Sequence, residues 1–320
     1  MVLRSYRFDR AITVGFFVAA QQVGIMFVFM LLGLWAAKRR WIGEDAVAGM
    51  TNVLINFVVP CLIISSLHRP FSMSQLHDMG VAAVIDTISF PVTIGLAYVL
   101  FRNARKPELT RTQRFGTIYA NSMFLGMPLV QALLGADGVF FAVVYFVVFT
   151  AFVWSHGYAM FPHDDSSALR RVFSTPAIPA VVVGLVFFLT PLQMPGIVVQ
   201  GLNYLGNMNA PLSMLIVGAS LAQVRWRAAL TNVGLWAVVV VRNVAIPAVA
   251  ILALWGIGLS DVCRMSILIL LACPTAAFLV LFSVKSGVDA AEPSSLVALS
   301  TLASVLTVPA AVAAASAIWR

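Results

Sequence analysis

Residues 116–128 read Gly116-Thr-Ile-Tyr-Ala-Asn121-Ser122-Met-Phe-Leu-Gly126-Met127-Pro128. The stretch is apolar enough to lie in a membrane, yet it ends in a glycine and a proline two positions apart. Proline removes a backbone donor and its ring collides with the preceding turn, while glycine eases unwinding. A helix through this stretch is expected to break at Gly126–Pro128, with Asn121 and Ser122 about two turns ahead of the break and able to hydrogen-bond a ligand. A broken helix exposes unpaired N–H groups and the positive end of its dipole, which suit a carboxylate.

The same pattern recurs further along. Ala272-Cys273-Pro274-Thr275 interrupts another apolar run. Asn52-x3-Asn56-x3-Pro60 is repeated as Asn203-x3-Asn207-x3-Pro211, with one offset of 151 relating 52 to 203, 56 to 207 and 60 to 211. Asparagines four apart lie on one helix face. Pro91 matches Pro247, and five residues before each stands a charge, Asp86 and Arg242. The prolines therefore pair in order between two halves of the chain.

Composition fixes the setting. Of 320 residues, 61% are hydrophobic and 10% charged, against about 25% charged in soluble domains. Mean hydropathy is +0.97. Too few charges remain to cover a soluble surface, and disordered chains are polar. Ten apolar runs fall at 11–36, 47–67, 79–101, 116–134, 138–160, 175–191, 197–223, 229–254, 265–284 and 293–318. They do not alternate as barrel strands do. The expected fold is an all-α integral membrane protein of ten transmembrane helices, with helices 4 and 9 broken. Residues 1–160 form the first five-helix repeat, 161–174 a cytoplasmic linker and 175–320 the second repeat. An odd number of spans inverts the second copy, and inverted repeats with matched helix interruptions mark secondary transporters.

Charge orients the chain. With the N-terminus on one side, six basic residues share that side (Arg4, Arg7, Arg10, Arg69, Arg264 and Arg320). Thirteen lie opposite, among them Lys38, Arg39, Arg40, Arg102, Arg111 and Arg114. The positive-inside rule then puts both termini outside the cytoplasmic (inner) membrane. The net charge of +8 is explained by these loops and points to no nucleic acid.

Asp86 and Arg242 are the charges inside the ten runs, and intramembrane charges are functional candidates by default. Asp86 is a candidate to take up and release a coupling proton. Arg242 either neutralises an anionic substrate or pairs with Asp86 across the repeats. The Asn56 and Asn207 faces are equally open to interhelical hydrogen bonding or substrate contact. Cys61, Cys263 and Cys273 sit in or at apolar runs and read as packing residues, and the four histidines show no ligand spacing, so neither a metal nor a cofactor is expected. No GxxxxGK[ST] motif occurs, which argues against ATP-driven transport by this chain. An intramembrane enzyme would need a nucleophile–base pair or paired carboxylates, and Asp86 stands alone.

Several of these stretches, taken in order, resemble the auxin efflux carrier family. They are Asn56-Phe-Val-Val-Pro60, Asn121-Ser-Met-Phe-Leu-Gly126-Met-Pro128, Ala210-Pro211 through Gly218, Pro274, and Leu299 through Pro309. The resemblance implies two inverted five-helix repeats of the bile-acid-sodium-symporter kind, with helices 4 and 9 crossing at Pro128 and Pro274. It implies a scaffold of spans 1, 2, 6 and 7, often dimeric, and a mobile bundle of spans 3–5 and 8–10. Asp86-Thr87 resembles a pair near the substrate site of plant carriers, and Asn121 falls on an asparagine that contacts substrate there. The expected function is secondary transport of a small organic anion such as malonate, malate or an auxin-like acid. The expected substrate contacts are Asn121, Ser122, Gly126, Pro128, Cys273, Pro274, Thr275, Asn56 and Asn207. A channel or receptor on the same fold, and an exporter of a non-carboxylate, are the competing readings.

Overall fold

The computed structural model describes residues 21–102, 107–162, 175–222, 224 and 226–319. The start of the first expected span (11–20) and nearly all of the expected linker (163–174) lie outside the described residues. What is described is helical, apart from turns and a single β-bridge. The helices are α1 (Gln21–Lys38), α2 (Glu44–Leu67), α3 (Met73–Leu100), α4 (Pro107–Ile118), α5 (122–134), α6 (136–157) and α7 (Ala177–Leu189). They continue with α8 (Gly196–Asn207 and Asn209–Leu221, joined through Met208), α9 (Trp226–Thr231), α10 (Val233–Leu254), α11 (Asp261–Ala272), α12 (Phe278–Lys285) and α13 (Ala291–Ile318).

Among the described residues, six stretches are long and apolar enough to cross a membrane: α1, α2, α3, 122–157, α10 and α13. The 122–157 stretch contains Gly135 at φ 64° and ψ −156°. That conformation needs glycine and ends one helix before the next begins, so α5 and α6 are separate arms. α7 has 13 residues, and the breaks leave α4, α5, α11 and α12 individually short.

Burial is inside-out relative to a soluble protein. On α3, Val84, Ile88, Val92 and Val99 are exposed, while Asp86 is 0% exposed. α10 likewise exposes Val240, Val244 and Val249 and buries Arg242 and Asn243. Apolar side chains turned outward and polar ones inward are what lipid as a solvent demands. The structure supports a membrane-embedded, multi-pass protein.

Proline shapes the backbone at three places. Wide π-turns at Leu54–Val58, Ser122–Gly126 and Val241–Ala245 run directly into helices starting Val59-Pro60, Met127-Pro128 and Ile246-Pro247. A proline one position into a helix segment lacks an N–H where none is needed, and the wider turn moves the preceding carbonyls clear of its ring. Pro91 and Pro309 are instead absorbed within α3 and α13.

Packing divides the helices. α2 lies against α7 and α8. α3 packs on α4 and α6, α11 on α6 and α13, and α10 on α13. α1 crosses α8 closely: a Cβ on Gly33 would run into the Leu215 carbonyl, and one on Gly218 into the Met30 carbonyl. The core of the larger group is aromatic. Phe90 stacks on Phe152 at 4.7 Å, and Phe115, Tyr119, Phe149 and Phe282 fill the space around it.

Candidate functional site at the paired helix breaks

α4 ends at Ile118 and α5 begins at Ser122, so the break is 119–121. It lies ahead of the expected position at Gly126–Pro128, because the π-turn accommodates Pro128. Asn121 is therefore inside the break and Ser122 is the first residue of α5, rather than both standing two turns before the break. The Asn121 side chain caps α5 by accepting from Phe124 N–H, and its carbonyl accepts from Leu125 and Gly126 N–H. α11 ends at Ala272 and α12 begins at Phe278, so the second break, 273–277, contains Pro274 as expected.

The two breaks pair with each other. Asn121 N–H donates to the Pro274 carbonyl at 2.6 Å, and Ala276 N–H donates to the Tyr119 carbonyl at 2.9 Å. Ala120 and Thr275 thus form an antiparallel β-bridge in the middle of a helical protein. Thr275 is held from two directions. Its hydroxyl donates to Gly116 O at 3.0 Å and its N–H to Ser300 Oγ at 2.9 Å, and Ser300 Oγ donates on to Asn243 Oδ1 at 2.8 Å. Gly126 lets α5 approach α11, since a Cβ there would sit 2.8 Å from Leu270 and 3.1 Å from the Cys273 sulfur. Pro128 and Pro274 are buried.

Breaking two helices orphans the last carbonyls of α4 and α11. Arg242 serves both ends. Its Nε donates to Cys273 O at 3.1 Å, Nη1 to Thr117 O and Ile118 O at 3.2 and 3.4 Å, and Nη2 to Leu271 O. A cation at two helix C-termini also complements both dipoles. Arg242 is 0% exposed. Its positive charge faces backbone oxygen, and it forms no ion pair with Asp86. Of the two expected alternatives, the repeat-bridging pair is not what the structure contains, because the stranded carbonyls compete for the guanidinium and win.

Asp86 is equally buried, and neither of its carboxylate oxygens has a hydrogen-bond partner. Tyr145 of α6 packs on Phe90, one turn along α3 from Asp86, with ring centroids 5.8 Å apart. The Asn121 side-chain amide nitrogen and the Ser122 hydroxyl are also buried without partners. Buried polar atoms are nearly always paired, so each such exception calls for an explanation. Thr301 Oγ1 on α13 and both side-chain atoms of Asn209 on α8 join them.

Near these groups a narrow apolar groove, with enclosed room for about one water, runs between Val23, Met26 and Phe27 of α1, Leu125 and Leu129 of α5, Met214 of α8, and Ser304 and Val308 of α13. Leu125 and Leu129 continue the face of α5 that begins at Asn121, and Thr301, Ser304 and Val308 share a face of α13. A polar end thus leads into an apolar slot.

The structure brings Asn121, Ser122, Gly126, Cys273, Pro274 and Thr275 together at the crossing, whereas Pro128 lies past the π-turn, inside α5. It does not bring Asn56 or Asn207 there. Asn56 is exposed and donates its amide to Asn52 O. Asn207 is exposed and accepts from Gln131 Nε2 at 3.1 Å, some ten residues and about 15 Å along α5 from the break. Sequence reasoning missed Tyr145, Asn243, Ser300 and Thr301. Asn243 beside Arg242 in an apolar run was the available signal.

Comparison with known proteins gives the family. A family described as "Membrane transport protein" matches residues 18–169 and 165–312. An uncharacterized transporter of Methanothermobacter thermautotrophicus is 29% identical over 202 residues, covering 61% of this chain and 65% of that protein. An uncharacterized transporter of Methanocaldococcus jannaschii is 23% identical over 210 residues, covering 62% of this chain and 67% of that protein. The alignment with the first relative thus spans less than two thirds of its length. With matches reaching over nearly all of a chain that turns apolar side chains outward, this protein belongs to the membrane transport protein family, that of the auxin efflux carriers.

Proposed function

We propose that the chain is a secondary transporter that carries a small organic anion across the cytoplasmic membrane by alternating access. The observation that carries this reading is the pair of hydrogen-bonded helix breaks with the Asn121 amide and Ser122 hydroxyl unpartnered at the start of α5. An anionic group set there meets those donors and the positive end of the α5 dipole. The apolar groove beyond it receives the body of the substrate once the two groups of helices move apart. Arg242 is engaged by carbonyls and no other buried cation stands among the described residues to balance a dianion, and within the class of mono- and dicarboxylates this favours a monoanion with an apolar body. The same lining favours, as a second reading, an exporter of an uncharged apolar compound.

In this reading the chain has ten spans in two inverted repeats, with α4–α5 and α11–α12 each forming one broken span. α1, α2, α7 and α8 are the scaffold, and the remaining spans form a bundle that moves against it, carrying the crossing past the cleft. Asp86 carries a coupling proton. Asn52, Asn56 and Asn203 present exposed amides on α2 and α8, and lipid offers no hydrogen bonds to them. Contact with a second copy through these scaffold faces satisfies them.

Counterflow in proteoliposomes tests the reading. Labelled malonate, malate, succinate, lactate and indole-acetate are offered at two pH values, with Asn121→Ala alongside. Saturable exchange of one acid, lost in Asn121→Ala, is the expected result. A folded protein that exchanges none of them sinks the organic-anion assignment.

A further inference from the structure

Tyr119 opens the first break, and its ring points away from the crossing toward α6. Its hydroxyl oxygen lies 2.8 Å from His156 Nδ1 and 3.0 Å from the Phe152 carbonyl. A phenol has one proton and cannot donate to both. Both short distances are met together when His156 donates from Nδ1 to the phenol oxygen and Tyr119 donates to Phe152. That leaves Nε2 as a bare acceptor. Nε2 has no hydrogen-bond partner among the described residues, and the residue is half-buried rather than sealed in. One nitrogen of His156 therefore grips the break while the other is open to receive a proton.

The surroundings hold this arrangement in place. His156 sits in the π-turn Val153–Gly157. A Cβ on Gly157 would stand 3.0 Å from the Tyr119 ring, so glycine is what lets that ring lie against α6. From α3, Tyr98 approaches the imidazole at 6.2 Å. From α4, Arg114 lies over the Tyr98 ring at 4.2 Å, with its Nε donating to Phe101 O at 3.1 Å. Tyr119, Tyr98 and, behind it, Arg114 are the titratable or charged side chains that face His156 from the packed elements. No carboxylate bonds to its ring among the described residues.

We propose that His156 is a proton-binding site that controls the crossing through Tyr119. A proton from water at the membrane face that carries Arg111 and Arg114 binds the Nε2 lone pair. Tyr119 keeps its own proton on Phe152 O, and no covalent bond in the protein breaks. The Nδ1–H···O contact becomes charge-assisted, which makes such bonds shorter and roughly twice as strong. The Tyr119 carbonyl is bonded to Ala276, so tightening Tyr119 tightens both breaks. His156 is thus a positioning residue, separate from Asp86. Its effect on transport rests on the function proposed above, whereas proton binding and its grip on the break do not.

The test uses the full chain in lipid nanodiscs with labelled histidines, His156→Gln identifying the signal among the four. The His156 signal should move with pH and should be displaced in Tyr119→Phe. Hydrogen exchange across 117–126, corrected for intrinsic chemistry, should slow about three-fold or more at the acidic end, as the charge-assisted bond requires. That slowing should vanish in both His156→Gln and Tyr119→Phe. A His156 signal that does not move with pH overturns the proposal, and so does slowing that persists in His156→Gln. If His156 titrates and the break tightens while no acid shows counterflow, the transport reading falls and the proton site stands.

Discussion

Arg242 and Asp86 show how a buried charge in a membrane is resolved in two different ways. Every guanidinium nitrogen of Arg242 is engaged, with four hydrogen bonds to carbonyls at the ends of two helices. Arg242→Met leaves those carbonyls buried and unpaired at about 1–3 kcal/mol each. The variant should melt well below wild type in detergent, with Arg242→Lys between the two because an ammonium lacks the planar fork. A Met variant that melts with the wild type would show that the carbonyls find other partners. Asp86 is the reverse case, since no donor contacts it. Asp86→Asn should therefore fold and melt normally, yet abolish the pH dependence of exchange if Asp86 carries the proton. Unchanged pH dependence in Asp86→Asn would move the coupling proton elsewhere. The sequence made both charges visible because each stands alone in an apolar run. It could not reveal their partners, because backbone carbonyls have no sequence signature and these become available only where tertiary packing sets two helix ends side by side.

At the level of elements, periodicity identified faces correctly but not what they face. Asn52 with Asn56, and Asn203 with Asn207, do share faces at helical spacing, yet those faces are exposed instead of lining the crossing. The proline pairs were more informative, because a missing N–H has a local backbone consequence wherever the helix packs. The α1–α8 crossing was legible only as a small-residue run around Gly218, with no indication of its partner. Its energetics are testable. Gly218→Val drives a branched side chain into the Met30 carbonyl, and overpacking of this kind costs about 1–3 kcal/mol or more when backbone must move. Gly24→Val in the same helix α1, where a Cβ meets nothing within 4 Å, is the control and should leave the melting temperature unchanged. Arg69 offers a finer comparison. It bonds Ser66 O, Ala136 O and Asp137 and covers the Phe140 ring at 4.6 Å. Asp137 is 69% exposed, and a solvent-screened pair contributes about 1 kcal/mol at most. Asp137→Asn should therefore be nearly silent in thermal melts and Arg69→Ala clearly destabilising. Equal losses would mean that the ion pair, and not the packing and carbonyl contacts, holds this corner.

For the molecule as a whole, the distribution of polar contacts says where relative motion is cheapest. Between described residues, the side-chain hydrogen bonds that link α1, α2, α7 and α8 to the other helices end on residues 131–137: Gln131 to Asn207, and Arg69 to Ala136 and Asp137. Elsewhere that boundary is apolar side chains and the cleft between Leu125 and Met214. Apolar contacts are non-directional, so this boundary can slide once a few bonds at one end release. The crossing is the opposite, since its bonds tie α4, α5, α10, α11, α12 and α13 into one body. Alternating access by rigid-body motion thus makes a definite demand. In a background without native cysteines, Leu125→Cys with Met214→Cys, bridged by a short bifunctional thiol reagent, should stop exchange by tying the two bodies across the cleft. Asp78→Cys with Ser260→Cys, which are neighbours within one body (Ser260 N–H to Asp78 Oδ2, 3.1 Å), should tolerate the same reagent. Exchange that survives the first bridge would mean that substrate passes without relative movement across the cleft, which is the behaviour of a channel and not of a carrier.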